Sequence, residues 1–468
     1  MEDLFCNHHL ATCEKEIEVK VDCQKEFGRT KGLHRKFEKT TRVQVRLMLE
    51  KIHIKREVVS DWTTGKTVRA SLAEIGPEKS KITWEMLAWL CEYVVHFCIP
   101  IDRIAKMISF AGNRFSSGRI CEWLAMAAKF LLPIYLYLAE QLSEANELYG
   151  DDSRTNVVEL RQKIADDSIG SEEEKIEELV KETATILPRV SKVKSGKRNK
   201  KQISISTLIG KSDPLDARST IYFYRTHVGD LGNLLSHLLA MRRRKNRQLK
   251  LVTDLLSANK PDENIIHLFD VIQFGCGSHA RRPFYRFRQR DPELCYYILR
   301  AFALLAKIEK NLDHKGRTKQ RILYARRKYS KKVWLCIEEK CRETVNQKQW
   351  PPGSVLFDAC KYILSNFDKL TKYIDHPEIE MTNNNAERIL RPDKIMLVAS
   401  KFRFTEKGRV VIDILRTITM TCSAAQVPIS KYLIYVFIHN KDAKLNPEKY
   451  TPFAFAKKIQ QENYPIAG

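Results

Sequence analysis

At 468 residues, with 43% hydrophobic and 29% charged residues, the chain has a globular composition and is too long for a single small core. Its 81 lysines and arginines exceed its 57 aspartates and glutamates, giving a formal net charge of +24. This excess favours an anionic partner, most commonly nucleic acid, although charge alone does not separate a DNA enzyme from another basic protein.

The cysteines and the apolar segments of the chain indicate the cellular compartment of the protein. The twelve cysteines are scattered, with no CxxC pair, as in proteins whose thiols stay reduced. The first residues, MEDLFCNHHL, lack the basic and apolar blocks of a signal peptide. The most apolar stretch, residues 86–100, is interrupted by Glu92 and His96, and a membrane span needs roughly 18 apolar residues. These features predict a soluble, cytosolic protein without a membrane partner.

Residues 1–83 are predicted to form a small β-rich region. Residues 42–59 alternate apolar and polar side chains in places, and DWTTGK (61–66) is typical of a turn. The region could bind DNA or hold a degenerate zinc site, or its thiols could be unpaired, because the spacings match no standard finger. The zinc-ligand candidates by residue type are Cys6, His8, His9, Cys13 and Cys23.

Residues 84–146 have apolar residues at three- and four-residue intervals, which predicts helices. The breaks fall at Pro100 and at residues 112–118, where AGNRFSSGR supplies turn and N-cap residues. Short helices around a tight turn are compatible with a helix-turn-helix DNA-binding domain. A plain helical packing domain explains the same periodicity.

A charged segment follows at residues 160–202. Residues 166–182 hold eight acidic residues, and KVKSGKRNKK (192–201) holds six basic ones. This composition predicts an acidic helix and a solvated basic loop inserted into a fold.

Beyond residue 202, strand and helix patterns alternate and predict a mixed α/β sheet. Long helices rich in lysine and arginine then predict a helical insertion at residues 285–375, and residues 426–468 form a C-terminal tail region. The predicted strands are 203–210, 219–227, 249–255 and 271–277, with an amphipathic helix at 229–245.

Carboxylates near the ends of these elements are the candidate metal ligands. Asp254 closes a buried strand, and Glu387 lies in the first turn of a helix that follows three asparagines. Asp151 and Asp152 follow a predicted helix ending in ELYG and precede the strand-like TNVVEL. Turn formation and helix capping explain each residue alone. Together, converging carboxylates could bind Mg²⁺ with positions left open for water and phosphate oxygens.

Four segments make the chain, from about residue 83 to 423, resemble the transposases of the insertion sequence 66 family. GDDSRTNVVEL and TDLLSAN resemble the family's two aspartate blocks and point to Asp151 and Asp254, with Asp152 as a competitor for the first. GCGSHARRPF matches a Gly-Cys-x-x-His-Ala-Arg-Arg segment, and NNNAERILRP gives Glu387 as the third acid. The resemblance implies a ribonuclease H-like catalytic domain of the Asp-Asp-Glu group, placed at residues 147–425.

The resemblance also implies the activity and the partners. We expect Asp151, Asp254 and Glu387 to hold two Mg²⁺ ions, with Mn²⁺ as a substitute, for cleavage and transfer of DNA strands. The expected partners are double-stranded DNA (terminal inverted repeats and target), further copies of the chain on DNA, and accessory proteins, in the bacterial cytoplasm at the nucleoid.

Two alternatives to this activity remain open. DDS replaces the family's Asp-Glu-Thr, and Thr382 stands where the family commonly has Asp. These departures fit an inactive or repurposed DNA-binding descendant. A structure-specific nuclease of the same fold is the other alternative.

Basic residues beside the acids are candidates for DNA contact. His279, Arg281 and Arg282 follow a predicted strand and are expected to contact the scissile phosphate, against the alternative of a solvent-facing cluster. Arg388 and Arg391 flank Glu387 and would orient it or bind the DNA backbone. Basic runs that together resemble a DNA track lie at 242–247, 285–290 and 315–332.

Overall fold

The structure is a computed structural model. It describes residues 52–64, 66–77, 80–110, 115–155, 157, 203–212, 217–243, 248–314, 316–347, 350–399 and 405–463. The five zinc-ligand candidates and the charged insertion at 160–202 lie outside the described residues.

A short hairpin precedes the main body of the fold. Strands β1 (Val58–Ser60) and β2 (Thr67–Arg69) pair antiparallel. In the turn between them, the backbone N–H of Asp61 donates to the carbonyl of Lys66 at 2.9 Å. The turn predicted at DWTTGK is therefore confirmed, as is β structure in the described part of the N-terminal region.

A mixed five-stranded sheet forms the centre of the molecule, in the order β5-β4-β3-β6-β7. Strands β3, β4 and β5 pair antiparallel, and β6 and β7 run parallel to β3. The predicted mixed α/β class is thus confirmed. The strands are β3 (Glu147–Arg154), β4 (Ile203–Lys211), β5 (Thr220–Val228), β6 (Leu249–Thr253) and β7 (Val271–Gly275).

The segment ELYGDDSR was predicted wrongly. It is not a helix end followed by a turn but strand β3 itself, which carries both Asp151 and Asp152. Its register with β4 runs from Leu148 opposite Gly210 to Arg154 opposite Ser204. Pairing with β4 on one side and β6 on the other satisfies the backbone of β3, so tertiary pairing overrides the helical pattern before it.

Helices cover both faces of the sheet and form the helical insertion. Those before β6 are α1 (Trp84–Cys91), α2 (Ile101–Phe110), α3 (Ser117–Ser143) and α4 (Leu231–Ala240). Those between β6 and the insertion's end are α5 (Glu263–Leu268), α6 (Gly277–Arg286), α7 (Pro292–His314), α8 (Lys319–Ala325), α9 (Lys331–Asn346), α10 (Val355–Ser365) and α11 (Phe367–Thr371). The last are α12 (Asn384–Ala399), α13 (Glu406–Ala424), α14 (Ile429–Ile438), α15 (Asn440–Leu445) and α16 (Pro452–Asn463).

The long helix α3 is a core element. Ser116 caps it by accepting a hydrogen bond from the backbone N–H of Arg119 at 3.2 Å. Among the described residues, α3 is the one helix that is long and apolar enough to cross a membrane, by length and composition alone. Its apolar side chains are buried in one core with those of the sheet, and the Tyr135 ring stacks on Phe223 of β5 at 5.0 Å. This burial fits the plain packing interpretation of residues 84–146 better than a groove-reading helix.

The C-terminal residues predicted as a tail region belong to the same core. Tyr432 of α14 is buried, and its hydroxyl donates to the carbonyl of Tyr450 at 2.7 Å. Phe437 packs against Trp84 of α1, with ring centroids 5.8 Å apart. The first and last helices therefore close one layer on the same face of the sheet.

Helix α13 closes the outer edge of the sheet along β5. The backbone N–H groups of Tyr222, Tyr224 and Thr226 donate to the side chains of Thr421, Thr417 and Asp413, at 3.2, 3.0 and 2.7 Å. Four residues of a helix rise about 6 Å and two residues of a strand about 6.6 Å. The spacing of the side-chain acceptors on α13 therefore matches the spacing of the N–H donors on β5. The edge strand is thereby protected from pairing with another chain.

The segment predicted as a helical insertion, residues 285–375, is helical over most of its described length. Helices α7, α9, α10 and α11 share a separate apolar core that includes the buried Trp334, Ile337 and Phe302. This core reaches the opposite face of the sheet through Val252 and Phe274. The insertion therefore rests on the same face as α12, next to the end of β6.

Candidate active site

Strand register places two aspartates side by side. Tyr149 of β3 lies opposite Val252 of the parallel strand β6. Two residues further on, Asp151 and Asp254 reach the same level on neighbouring strands, which lie about 4.8 Å apart. Asp254 directly follows the last residue of β6, as predicted from the sequence.

Helix α12 brings Glu387 to this edge of the sheet. Its buried Ala386, Ile389 and Leu390 pack with Ile205 and Ile209 of β4. The helical spacing of these residues places the apolar side of α12 on the sheet. Glu387, in the first turn, lies at the edge of this contact with its side chain 25% exposed.

Asn383, immediately before α12, links three elements. Its side-chain Nδ2 donates to the carbonyl of Gly150 in β3 at 2.7 Å. Its backbone N–H donates to Sγ of Cys276, which precedes α6, at 3.1 Å. The asparagine is fully buried. The sequence indicated a capping residue here, but this cross-link between strand and helices was not predicted.

Alternation along β3 separates the two competing aspartates. Asp151 shares a face with Tyr149, which packs towards α12 and the helical insertion. Asp152 lies on the other face, together with Leu148. The backbone N–H of Leu231, at the start of α4, donates a hydrogen bond to Asp152. Successive side chains of a strand point to opposite faces, so Asp151 is the one directed towards Glu387.

Burial and like charges raise the pKa values of both aspartates. Burial, then the charges of Glu387, Asp254 and Asp152, raises the pKa of Asp151 to about 7. Burial, then Asp254 and Asp230, raises the pKa of Asp152 to about 6. The charge of Glu387 contributes to the raised pKa of Asp151 but not to that of Asp152. This difference agrees with the two aspartates lying on opposite faces of β3.

Asp254 is held by neighbours that the sequence did not reveal. Its Oδ1 accepts hydrogen bonds from the Asn259 side chain at 2.6 Å and the backbone N–H of Leu256 at 3.1 Å. The hydroxyl of Tyr362, from α10, donates to the Asp254 carbonyl at 2.6 Å. The helical insertion thus supports the strand end that carries the acid.

Two of the predicted phosphate ligands contact Glu387. Arg282 Nη2 lies 2.7 Å and His279 Nε2 lies 3.3 Å from Glu387 Oε1. Burial, together with the charge of Arg282, lowers the pKa of His279. Arg281 is directed elsewhere, with its guanidinium 5.3 Å from the centroid of the exposed Tyr285 ring.

Arg388 and Arg391 are exposed on α12. Arg388 donates to Asn385 at 3.3 Å, an exposed contact. In the part of the chain that the structure describes, neither forms a hydrogen bond or ion pair with Glu387, so their orienting role stays a prediction.

Two arginines of the predicted DNA track are structural. Arg242 is buried and donates to the carbonyls of Ser143, the last residue of α3, and of Ala145. Arg326 is fully buried, pairs with Glu309 and donates to three carbonyls around residue 376. Including these two side chains in a solvent-facing track was wrong, because each satisfies backbone groups that would otherwise be unpaired.

Two donor sets at this edge could hold a metal ion. Asp151, Asp254 and Glu387 supply carboxylate oxygens, although the three do not all lie within 4.8 Å of one another. Cys276, His279 and Glu387 do lie within that distance, and among the described residues they are the only such group of three or more.

A comparison with protein families identifies the class of protein. The family described as "Transposase IS66 family" matches residues 79–168 and 251–410, slightly more than half of the chain. These segments contain Asp151, Asp254, His279 and Glu387. No curated protein and no solved structure matches the chain.

The chain belongs to the IS66 family of transposases. Membership implies a DNA-cleaving enzyme that acts in transposition and recombination, with DNA as its partner.

Proposed function

We propose that the chain is a metal-dependent transposase that binds terminal inverted repeats, cleaves the element ends and joins them to target DNA. The observation that carries the proposal is the convergence of Asp151, Asp254 and Glu387 from two adjacent strands and one helix. All three acids lie in segments matched by the family.

We also propose that the catalytic domain is ribonuclease H-like. Two features support this: three antiparallel strands followed by two parallel ones in the order β5-β4-β3-β6-β7, and a helix carrying the last acid across β3. The first acid then lies on the central strand and the second at the end of its parallel neighbour.

The donor set fits hard divalent cations. Asp151 is 8% exposed and is destabilised by the charges of the other acids, a repulsion that a bound cation would offset. Mg²⁺, or Mn²⁺ in its place, would be held by Asp151, Asp254 and Glu387. When bound, two such ions supply activation of the attacking hydroxyl and stabilisation of the leaving oxygen.

The chain's other residues position these acids and the DNA. Asn259 and Leu256 fix one oxygen of Asp254, and Asn383 holds β3 against the start of α12. We propose that Arg282, 40% exposed, exchanges Glu387 for a phosphate oxygen when DNA binds. Exposed cations of α6 and the helical insertion would hold the DNA backbone.

DNA ends and target DNA are the proposed partners, with further copies of the chain and accessory proteins in the complex. The proposed location is the bacterial cytoplasm at the nucleoid. These proposals rest on the family.

A cleavage and joining assay tests the proposal. Purified protein is incubated with end-labelled element DNA and Mg²⁺ or Mn²⁺, beside Asp254→Asn as the inactive control. We expect nicks at the 3′ ends and joined products with the wild type only. Binding without nicking would contradict an enzymatic role, and nicking without joining would indicate a nuclease.

A further inference from the structure

A second donor set with different chemistry lies beside the carboxylates. Cys276 directly precedes α6 and His279 lies in its first turn, so the three-residue spacing brings both side chains to one side of the helix end. Glu387 faces them from α12, with its Oε1 3.3 Å from His279 Nε2. One ligand atom from each residue lies within 4.8 Å of the other two.

The sulfur of Cys276 has surroundings typical of a thiolate ligand. The residue is fully buried, and its Sγ accepts a hydrogen bond from the Asn383 N–H at 3.1 Å. Burial raises the pKa of Cys276, whereas hydrogen bonds from the backbone N–H groups of Asn383, His279 and Ser278 favour the thiolate. Donors directed at a sulfur orient it and stabilise its negative charge when a metal binds.

The imidazole and the carboxylate complete the set. The side chain of His279 is only 16% exposed, and its Nδ1 is buried without a hydrogen-bond partner among the described residues. Glu387 is 25% exposed, so the cluster opens to solvent on the side where Arg282 lies. An ion can therefore reach the donors without unfolding α6 or α12.

We propose that Cys276, His279 and Glu387 form a binding site for a thiophilic divalent cation, Zn²⁺, separate from the carboxylate set but sharing Glu387 with it. One sulfur, one nitrogen and one oxygen ligand suit Zn²⁺, whereas Mg²⁺ prefers oxygen ligands alone. A four-coordinate ion would keep one position for water. Binding releases the thiol proton of Cys276 to solvent.

The shared carboxylate makes this a regulatory site. This consequence rests on the proposed function: Zn²⁺ that holds Glu387 through Cys276 and His279 removes it from the Mg²⁺ set. Zinc therefore inhibits Mg²⁺-dependent cleavage, and the inhibition depends on Cys276.

Titration of the full chain with Co²⁺ tests the site directly, because a cobalt–thiolate bond gives a near-ultraviolet charge-transfer band. Wild type is compared with Cys276→Ser, His279→Gln and, as a matched control, Cys336→Ser, whose exposed thiol lies on α9. Any site formed by Cys6, Cys13 and Cys23 is present in all four proteins and cancels in the differences. Circular dichroism checks that each variant is folded.

We expect Cys276→Ser and His279→Gln to lose one equivalent of the band and Cys336→Ser to keep it. Equal bands in all four proteins, or no band in the wild type, would overturn the proposal. In cleavage assays with Mg²⁺, added Zn²⁺ should lower the wild-type rate at least about tenfold and the Cys276→Ser rate, relative to its own zinc-free value, far less. A protein that gives the cobalt result but never cleaves DNA would refute the proposed function and leave the zinc site standing.

Discussion

Arg282 Nη2 lies 2.7 Å from Glu387 Oε1, so the third acid of the site is paired with a cation from a helix 105 residues earlier in the chain. His279 approaches the same oxygen at 3.3 Å. In the proposed site, the guanidinium would therefore compete with a bound metal ion for Glu387 and would lie within reach of a DNA phosphate.

Replacing Arg282 should have opposite effects on metal and DNA. Arg282→Ala removes the competing cation, so the Mg²⁺ affinity should rise roughly fivefold, as expected for a partly exposed pair contributing about 1 kcal/mol. The salt dependence of DNA binding should fall by a slope of about 1, because one phosphate contact is lost. Calorimetric titration and binding at several salt concentrations measure the two effects.

Arg281→Ala is the matched control for this variant. Its guanidinium lies over Tyr285 rather than Glu387, so the metal affinity should not change. Equal metal affinities for Arg282→Ala and the wild type would contradict the competition.

Asp151 should make the metal-free protein less stable as the pH rises. A raised folded-state pKa of about 7, against 3.8 for the ordinary carboxyl, means that the folded protein holds the proton more tightly. The stability that this proton contributes is present below about pH 4 and is lost between pH 4 and 7. Asp151→Asn should therefore stabilise the metal-free protein more at pH 8 than at pH 5, by an amount on the order of 2–4 kcal/mol at pH 8.

Urea unfolding at both pH values in the presence of a chelator measures this difference. Saturating Mg²⁺ provides the control, since it should stabilise the wild type and have little effect on Asp151→Asn. A stability difference that is the same at pH 5 and pH 8 would show that Asp151 ionises normally.

Asn383 is expected to contribute to the stability of the fold. Asn383→Ala leaves the Gly150 carbonyl without its side-chain donor, at a cost of about 1–3 kcal/mol for a buried group. Asn385→Ala, which removes long contacts to Glu380 and an exposed one from Arg388, all at 3.3–3.5 Å, should cost less than about 0.5 kcal/mol. Denaturant unfolding compares the two, and equal losses would argue against the cross-link.

Two adjacent arginines of the helical insertion are expected to have different roles. Arg326 should matter for stability and Arg327 for DNA binding. Arg326→Met breaks a buried ion pair with Glu309 and should destabilise the protein by about 3–5 kcal/mol. Arg327, paired with Asp375 and 61% exposed, should tolerate Arg327→Ala with little change in stability. If the exposed cations form the DNA track, Arg327→Ala weakens DNA binding uniformly across sequences, as gel-shift titrations would detect. Unfolding midpoints that respond to both changes equally would contradict this division.

The sequence predicted the sheet strands after residue 202, the helical insertion, and the positions of Asp254 and Glu387 relative to their elements. Those features depend on local periodicity and on residues that end strands or begin helices. Strand β3 was missed because only three residues separate it from the 27-residue helix α3, and its partner strands lie about 50 and 100 residues further along the chain.

The choice between Asp151 and Asp152 shows a similar limit. Alternation alone places them on opposite faces of β3, but which face α12 covers is decided by packing between distant segments. The buried roles of Arg242 and Arg326 were likewise hidden, because a run of basic letters does not show which side chains meet unpaired carbonyls.

A metal-specificity switch tests the carboxylate site most directly. Asp254→Cys replaces a hard oxygen ligand by a softer sulfur, so cleavage of labelled element ends should be lost with Mg²⁺ and restored with Mn²⁺. Glu387→Cys should behave in the same way, while Asp230→Asn, at the start of α4, should cleave with Mg²⁺. Cleavage by folded Asp254→Cys with Mg²⁺ at the wild-type rate would contradict the assignment of Asp254 as a metal ligand.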